Sequence, residues 1–133
     1  MMFSEKILIG YSSTNIDEKN RLILPKFTCA EAGDRLIVIP EDDKIAIYFT
    51  SKLAEYVKKL DRITNLSEKK DLLIKFKTYC EKAIVEVVVD NSKTISLSSN
   101  IIFNNKNVII QGSGDRLVLS GDFSYPELYR KRS

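Results

Sequence analysis

The sequence predicts an α+β, mainly β fold assembled from two related halves. Three observations lead there. A strand–turn–strand unit occurs twice, short β-branched strands dominate both copies, and two helical stretches lie between them. The strong copy runs from Gly10 to Phe27 and the weak copy from Val89 to Ser98, with Asp17 aligned to Asp90, 90 − 17 = 73 positions on. Each copy places an apolar residue, an acid, a polar turn and an alternating strand, then a polar gap and two more strands. Arg35–Ile39 and Lys44–Tyr48 answer to Asn107–Gln111 and Arg116–Ser120.

The elements follow in chain order. Lys6–Ile9 predicts a short opening strand ending at Gly10. Asn15-Ile16 and Arg21–Leu24 flank a tight turn, Asp17-Glu18-Lys19-Asn20, in which Asn20 closes the turn because asparagine tolerates a left-handed backbone. Pro25 lacks an amide donor and ends the strand. Thr28–Ala32 predicts a helical turn stopped by Gly33-Asp34. Arg35–Ile39 and Lys44–Phe49 form a hairpin around Pro40-Glu41-Asp42-Asp43. A first helix starts at Thr50 or Ser51, which can cap an orphan amide, and carries the stripe Leu53, Tyr56, Val57, Leu60, Ile63. A second starts near Ser67, with Leu72, Leu73, Phe76, Tyr79, Cys80 and Ala83 on one face and lysines on the other. Ile84–Asp90 reads as a strand. The second copy then runs to about Asp122, with a hairpin turn at Gln111–Asp115, and Pro126–Arg130 starts a short terminal helix. The chain thus divides into 1–50, a connecting helix pair at 51–83, and 84–133.

At 133 residues the chain buries a workable core without metal or disulfide support. Cys29 and Cys80 have no Cys-x-x-Cys spacing and read as the reduced thiols of a cytoplasmic protein. Neither a signal peptide nor a membrane-length apolar run is expected. The net charge of +3 permits nucleic-acid binding without arguing for it, so a basic surface has to come from local clustering. Histidine is absent, which removes the commonest general base and metal ligand. No residue pattern marks a catalytic carboxylate pair, a zinc site or a phosphate-binding loop. The expectation is a non-enzyme with no cofactor, no metal and no small-molecule substrate.

What remains is the first turn. The run Gly10-x5-Ile16-Asp17-x-Lys19-Asn20-Arg21-Leu22-x-Leu24-Pro25-x-Phe27 resembles the N-terminal motif of MraZ proteins, in the wider SpoVT/AbrB-like group of bacterial transcription factors. Two such units joined by two helices also resemble that family's layout. The resemblance implies two swapped-hairpin (SpoVT/AbrB-like) half-barrels, with 1–50 the first repeat and 84–133 a second, degenerate one. It implies a ring-like homo-oligomer, associated with the nucleoid, that binds double-stranded DNA upstream of division and cell-wall genes. It carries Asp17, Lys19 and Arg21 over onto the first turn. Arg21 suits a guanine edge or a phosphate. Lys19 suits phosphate, and Lys26 and Lys93 are secondary phosphate contacts. Asp17, Asn20 and Asp90 organise the turns. The second copy departs from the motif: Thr94 stands in place of the arginine and Ser98 in place of Pro25. That departure motivates the alternative expectation, an oligomeric protein-interaction module of the same fold that has lost DNA binding.

Overall fold

The computed structural model describes residues 8–82 and 85–125. The architecture is mainly β, with several antiparallel sheets. β1 (Tyr11–Asn15) leads through the Asp17 turn into β2 (Arg21–Ile23), and a 3₁₀ turn follows at Lys26–Thr28. β3 (Arg35–Glu41) and β4 (Lys44–Phe49) form a hairpin, and the chain then enters α1 (Thr50–Arg62) and α2 (Leu66–Lys82). The remaining strands are β5 (Val85–Val88), β6 (Thr94–Ser96), β7 (Ile102–Phe103), β8 (Asn107–Gly112), β9 (Leu117–Ser120) and β10 (Phe123–Ser124).

Six strands make one sheet in the order β1-β8-β9-β4-β3-β5, while β2 pairs with β6 and β7 with β10. The six-strand order reads the same when the two copies of the repeat are exchanged. The registers carry the same relation. Leu22 pairs with Ile95, its own repeat partner, and Arg21 with Ser96 and Ile23 with Thr94 to either side. Ala46 pairs with Val118, its repeat partner at 118 − 46 = 72. The offset falls from 73 to 72 because the loop after β6 is one residue shorter than the loop after β2. Backbone bonds outside the strands repeat as well. The Leu24 amide donates to the Lys93 carbonyl and the Leu97 amide to the Asn20 carbonyl, both at 2.8 Å.

The strands alternate between faces, as a period of two requires. Leu22 and Ile95 point inward with Leu36, Ile45, Ile47, Ile110, Leu117 and Leu119 to form the main core. The other face of β3 and β4 carries Ile37, Ile39, Ala46 and Tyr48, and α1 packs on both strands. The repeat counterparts of Ile39 and Tyr48 are Gln111, exposed, and Ser120, half-buried. The helices lie over the copy whose outer face is apolar, and the composition of each copy follows from that.

Several boundaries differ from the sequence reading. A strand forms at Tyr11–Asn15, whereas Leu8 contributes only an isolated bridge to Gly114, and Lys6 and Ile7 lie outside the described residues. The polar Ser/Thr run hid β1, because strand formation here is set by pairing with β8 rather than by apolar alternation. The helical turn is at Lys26–Thr28, not Thr28–Ala32. Pro25 precedes it in an extended conformation, and the Thr28 amide and hydroxyl both donate to the Pro25 carbonyl. Pro40 lies inside β3 rather than in its turn. Among the described residues the β5 ladder reaches only Val85, opposite Val38, so none of them needs an amide proton from Pro40 on that side. Asp42 takes the left-handed position of that turn, φ 58°.

β4 runs straight into α1, so Phe49 occupies the N-cap position and neither Thr50 nor Ser51 caps. The Thr50 hydroxyl is buried without a hydrogen-bond partner among the described residues. Asn65 starts α2, accepting the Glu68 amide at 3.1 Å. Side chains of Leu53, Tyr56, Val57, Leu60, Phe76, Tyr79 and Cys80 lie outside the described residues, as does the segment from Pro126 onward. Among the described residues no helix is long and apolar enough to cross a membrane.

Gly10 and Phe27, the two ends of the first motif, meet in space. A Cβ on residue 10 would lie 2.3 Å from the Phe27 ring, so only glycine leaves the ring its place. The core side chains at the centre of β2 and β6 are fully buried, with Leu22 at 0% and Ile95 at 1% exposure. Truncating either to alanine should cost about 2–5 kcal/mol. As cross-strand partners the two changes should not be additive. Urea denaturation of both single variants and the double variant measures this, and independent, additive losses would show that the pair is not a shared packing unit.

Candidate nucleic-acid interface

The two turns share one backbone design. The Asp17 carboxylate accepts the Lys19 amide at 2.9 Å and the Arg21 amide at 2.8 Å through Oδ1. Asp90 Oδ1 does the same for Ser92 at 2.8 Å and Thr94 at 2.9 Å. In both, the acid's amide donates to the carbonyl four residues on, and the acid's carbonyl accepts the amide three residues on. The fourth residue of each turn is left-handed: Asn20 has φ 57° and Lys93 φ 61°. An aspartate suits this place because its short side chain reaches two amides that the turn would otherwise leave without partners.

The side chains then diverge. Arg21 Nε donates to Asp17 Oδ2 at 2.6 Å, with Arg21 half-exposed at 51%. Among the described residues no other protein group takes its two terminal nitrogens. At this exposure the ion pair adds little to stability. Its effect is to aim the guanidinium outward from the start of β2. The Arg21 amide above all, then its guanidinium and the Lys19 amide, hold the Asp17 carboxyl below its usual range, against the opposing effect of desolvation. In the second turn Thr94 occupies the arginine's place, and Lys93 occupies that of Asn20, so Lys93 is not a substitute for Arg21.

The structure brings Lys19 and Arg21 together on one turn, both exposed. Lys93 lies on the other turn, at the opposite end of the β2–β6 ribbon, where its carbonyl binds Leu24. Lys26 follows two residues beyond Leu24 and is exposed on the 3₁₀ turn. The outward face between the two ends holds Arg21, Ile23, Thr94 and Ser96, with Ile23 at 61% exposure. Between Asn20 and Lys93 the ribbon advances four residues, roughly 13 Å at ~3.3 Å per residue.

Asn20 does more than its sequence position announced. Its side chain is buried, and Nδ2 donates to the carbonyls of Ser98 and Ile101, both at 2.9 Å. One asparagine thus closes the first turn and fastens it to the loop after β6. The signal was the asparagine itself, a left-handed residue with a spare donor, but its target 78 residues away was not readable from the pattern.

Among the described residues no group of three or more His, Cys, Asp or Glu is placed to hold a metal. Cys29 is exposed at the end of the 3₁₀ turn. The sequence matches no protein-family model and no curated protein.

Two predictions test the turn. Asn20→Gly keeps the backbone and removes both side-chain bonds, so it should cost about 1–3 kcal/mol. Asn20→Ala should cost a further ~1–2 kcal/mol for the left-handed conformation; chemical denaturation separates the two, and equal losses would show that φ is not constrained there. For Asp17 the folded pKa lies below the unfolded one, so its contribution is present above the ordinary carboxylate range near ~4 and disappears as pH falls through the folded value. The stability gap between wild type and Asp17→Asn should therefore be constant near neutrality and narrow on acidification, read from melting temperatures across pH. A gap that widened on acidification would contradict the depressed pKa.

Proposed function

We propose that this protein is an MraZ-like, sequence-specific DNA-binding regulator of transcription, acting through the outward face of the β2–β6 ribbon. The observation that carries this reading is Arg21: half-exposed, anchored through Nε, and presenting its remaining donors to solvent. A guanidinium held in that way loses little freedom on forming two parallel bonds to a guanine edge or a phosphate. The major groove is ~12 Å wide and admits a two-stranded ribbon, and the β2–β6 pair is such a ribbon with cations at both ends. Lys19, Lys26 and Lys93 act on phosphates. The exchange of strand partners between the two copies supports the swapped-hairpin half-barrel arrangement that the first motif implies.

A single ribbon with one arginine binds weakly. In this reading a ring-like homo-oligomer repeats the contact, and effective concentration raises the total affinity. The exposed Leu66, Leu73 and Ile74 of α2 give it apolar surface for self-association. The place of action is the cytoplasm, at the nucleoid.

One observation favours a second reading, an oligomeric interaction module without DNA binding. The second turn keeps its whole backbone network while the arginine position holds Thr94, so the fold is maintained there without the cation. That reading predicts self-association by light scattering and no salt-sensitive retention on DNA.

Arg21→Ala should cost about 1–3 kcal/mol in binding and relax the preference at one base position, whereas Lys19→Ala should weaken all sequences alike and lower the salt slope by about one. Gel-shift titrations on DNA selected from a random pool read both. Equal binding by wild type and Arg21→Ala would remove the arginine from the interface.

A further inference from the structure

Beside the first turn lies an open cleft of about 490 Å³. Lys19 and Lys106 both line it, together with Ile101, Ile102, Phe103 and Glu18. Lys106 belongs to no motif, and the sequence pattern did not single it out. We propose that this cleft seats a stretch of the DNA sugar–phosphate backbone, with Lys106 as a second phosphate-binding cation beside Lys19. The inference rests on the DNA-binding reading above and extends it to a surface outside the turn.

Position comes first. The Lys106 carbonyl accepts the Ile16 amide at 2.7 Å, one residue before the Asp17 turn begins. The loop that carries it is held on both sides. The Asn107 amide donates to the Asn105 side chain at 2.9 Å, and Asn104 binds Asp122 through its amide at 2.9 Å and its Nδ2 at 3.1 Å. Asn20 also lines the cleft and fixes Ile101 there, its Nδ2 donating to the carbonyls of Ser98 and Ile101. The amide that closes the arginine's turn therefore also sets the shape of the cleft. A backbone held in this way places Lys106 without a large ordering cost on binding.

Chemistry selects the occupant. Two exposed ammonium groups favour an anion, and a lysine acts on phosphate as a mobile point charge. The apolar wall, with Ile102 at 61% exposure, suits the carbon face of a deoxyribose rather than a bare ion. Glu18 opposes any anion, so the net attraction depends on both lysines. The repeat relation sharpens the point. At the other end of the ribbon, the counterpart of Lys19 is Ser92 and that of Lys106 falls at Gly33-Asp34, where Asp34 Oδ2 accepts the Glu31 amide at 2.9 Å. The cationic cleft therefore exists at the arginine end and lacks its lysines at the other. Lys19 and Asn20 belong to the Arg21 turn, so the cleft adjoins the proposed base contact.

The test uses the full-length protein and its selected DNA duplex, with affinity measured across salt concentration. Lys106 is exposed, so Lys106→Ala should keep the wild-type circular dichroism and melting temperature. It should lower the log–log salt slope by about one. Glu18→Gln should tighten binding, and Ile102→Asp, which sets a carboxylate in the cleft, should weaken it. Lys70→Ala, on α2, should leave the slope unchanged. A wild-type slope retained in Lys106→Ala would overturn the cleft while leaving the Arg21 contact standing. An equal drop in Lys70→Ala would overturn it too, by showing a diffuse charge effect. Wild-type protein with no salt-sensitive DNA binding would sink the functional reading itself, and the cleft with it.

Discussion

Everything in this molecule is referred to one pairing, the antiparallel contact of Leu22 with Ile95. Those residues are repeat partners, so the pair ties one copy of the unit to the other, as Ala46 and Val118 do in the six-stranded sheet. Their burial removes one apolar side chain of each short strand from water. A three-residue strand has too few bonds to persist alone. β2 and β6 therefore depend on one another, and the backbone bonds just beyond them, Leu24 to Lys93 and Leu97 to Asn20, extend the pairing into the two turns. The turns that carry the charged side chains are fixed by the same event that joins the halves.

The exchange of partners continues outward. β1 of the first copy pairs with β8 of the second, and β5 of the second pairs with β3 of the first. Neither copy can complete its own sheet. Loss of one half strips edges from the other, exposing unpaired amides and carbonyls. Glycines mark where backbones come closest: a Cβ at Gly112 would lie 2.5 Å from the Leu8 backbone, so β8 and the incoming chain are packed to the limit.

Much of this was legible from residues. The doubled unit, with its 73-residue offset shifting by one after the loop, anticipated which strands correspond, because apolar residues recur where both copies face the core. The Asp-to-amide turn was legible because aspartate and asparagine have few other ways to satisfy a turn backbone. β1 was not, since Tyr11-Ser12-Ser13-Thr14-Asn15 lacks the alternation of a half-buried strand and owes its state to a partner nearly a hundred residues away. The N-cap of α1 is not legible, because a threonine after an aromatic strand end looks like a cap, yet β4 runs into α1 with no loop and Phe49 takes that position. Lys106 was invisible for a different reason. A lone lysine in an asparagine-rich loop has no periodicity, and only the bond from Ile16 to its carbonyl brings it to the first turn.

The two turns separate what builds this surface from what it can recognise. Their backbones are matched bond for bond, and an aspartate serves each. Replacing Arg21 by its counterpart Thr94 therefore leaves the scaffold complete, which means the arginine is not required for the fold at that site. The ion pair of Arg21 with Asp17 is likewise half-exposed and adds little to stability. Asn20 makes the same case from the opposite side. Its counterpart Lys93 also adopts a left-handed conformation, unfavourable for a lysine, yet it carries no side-chain amide to bind the loop carbonyls. The first turn thus has an extra clamp where it has the extra cation. Stiffening of the backbone under Arg21, rather than under Thr94, is what a group positioned for a directional contact requires.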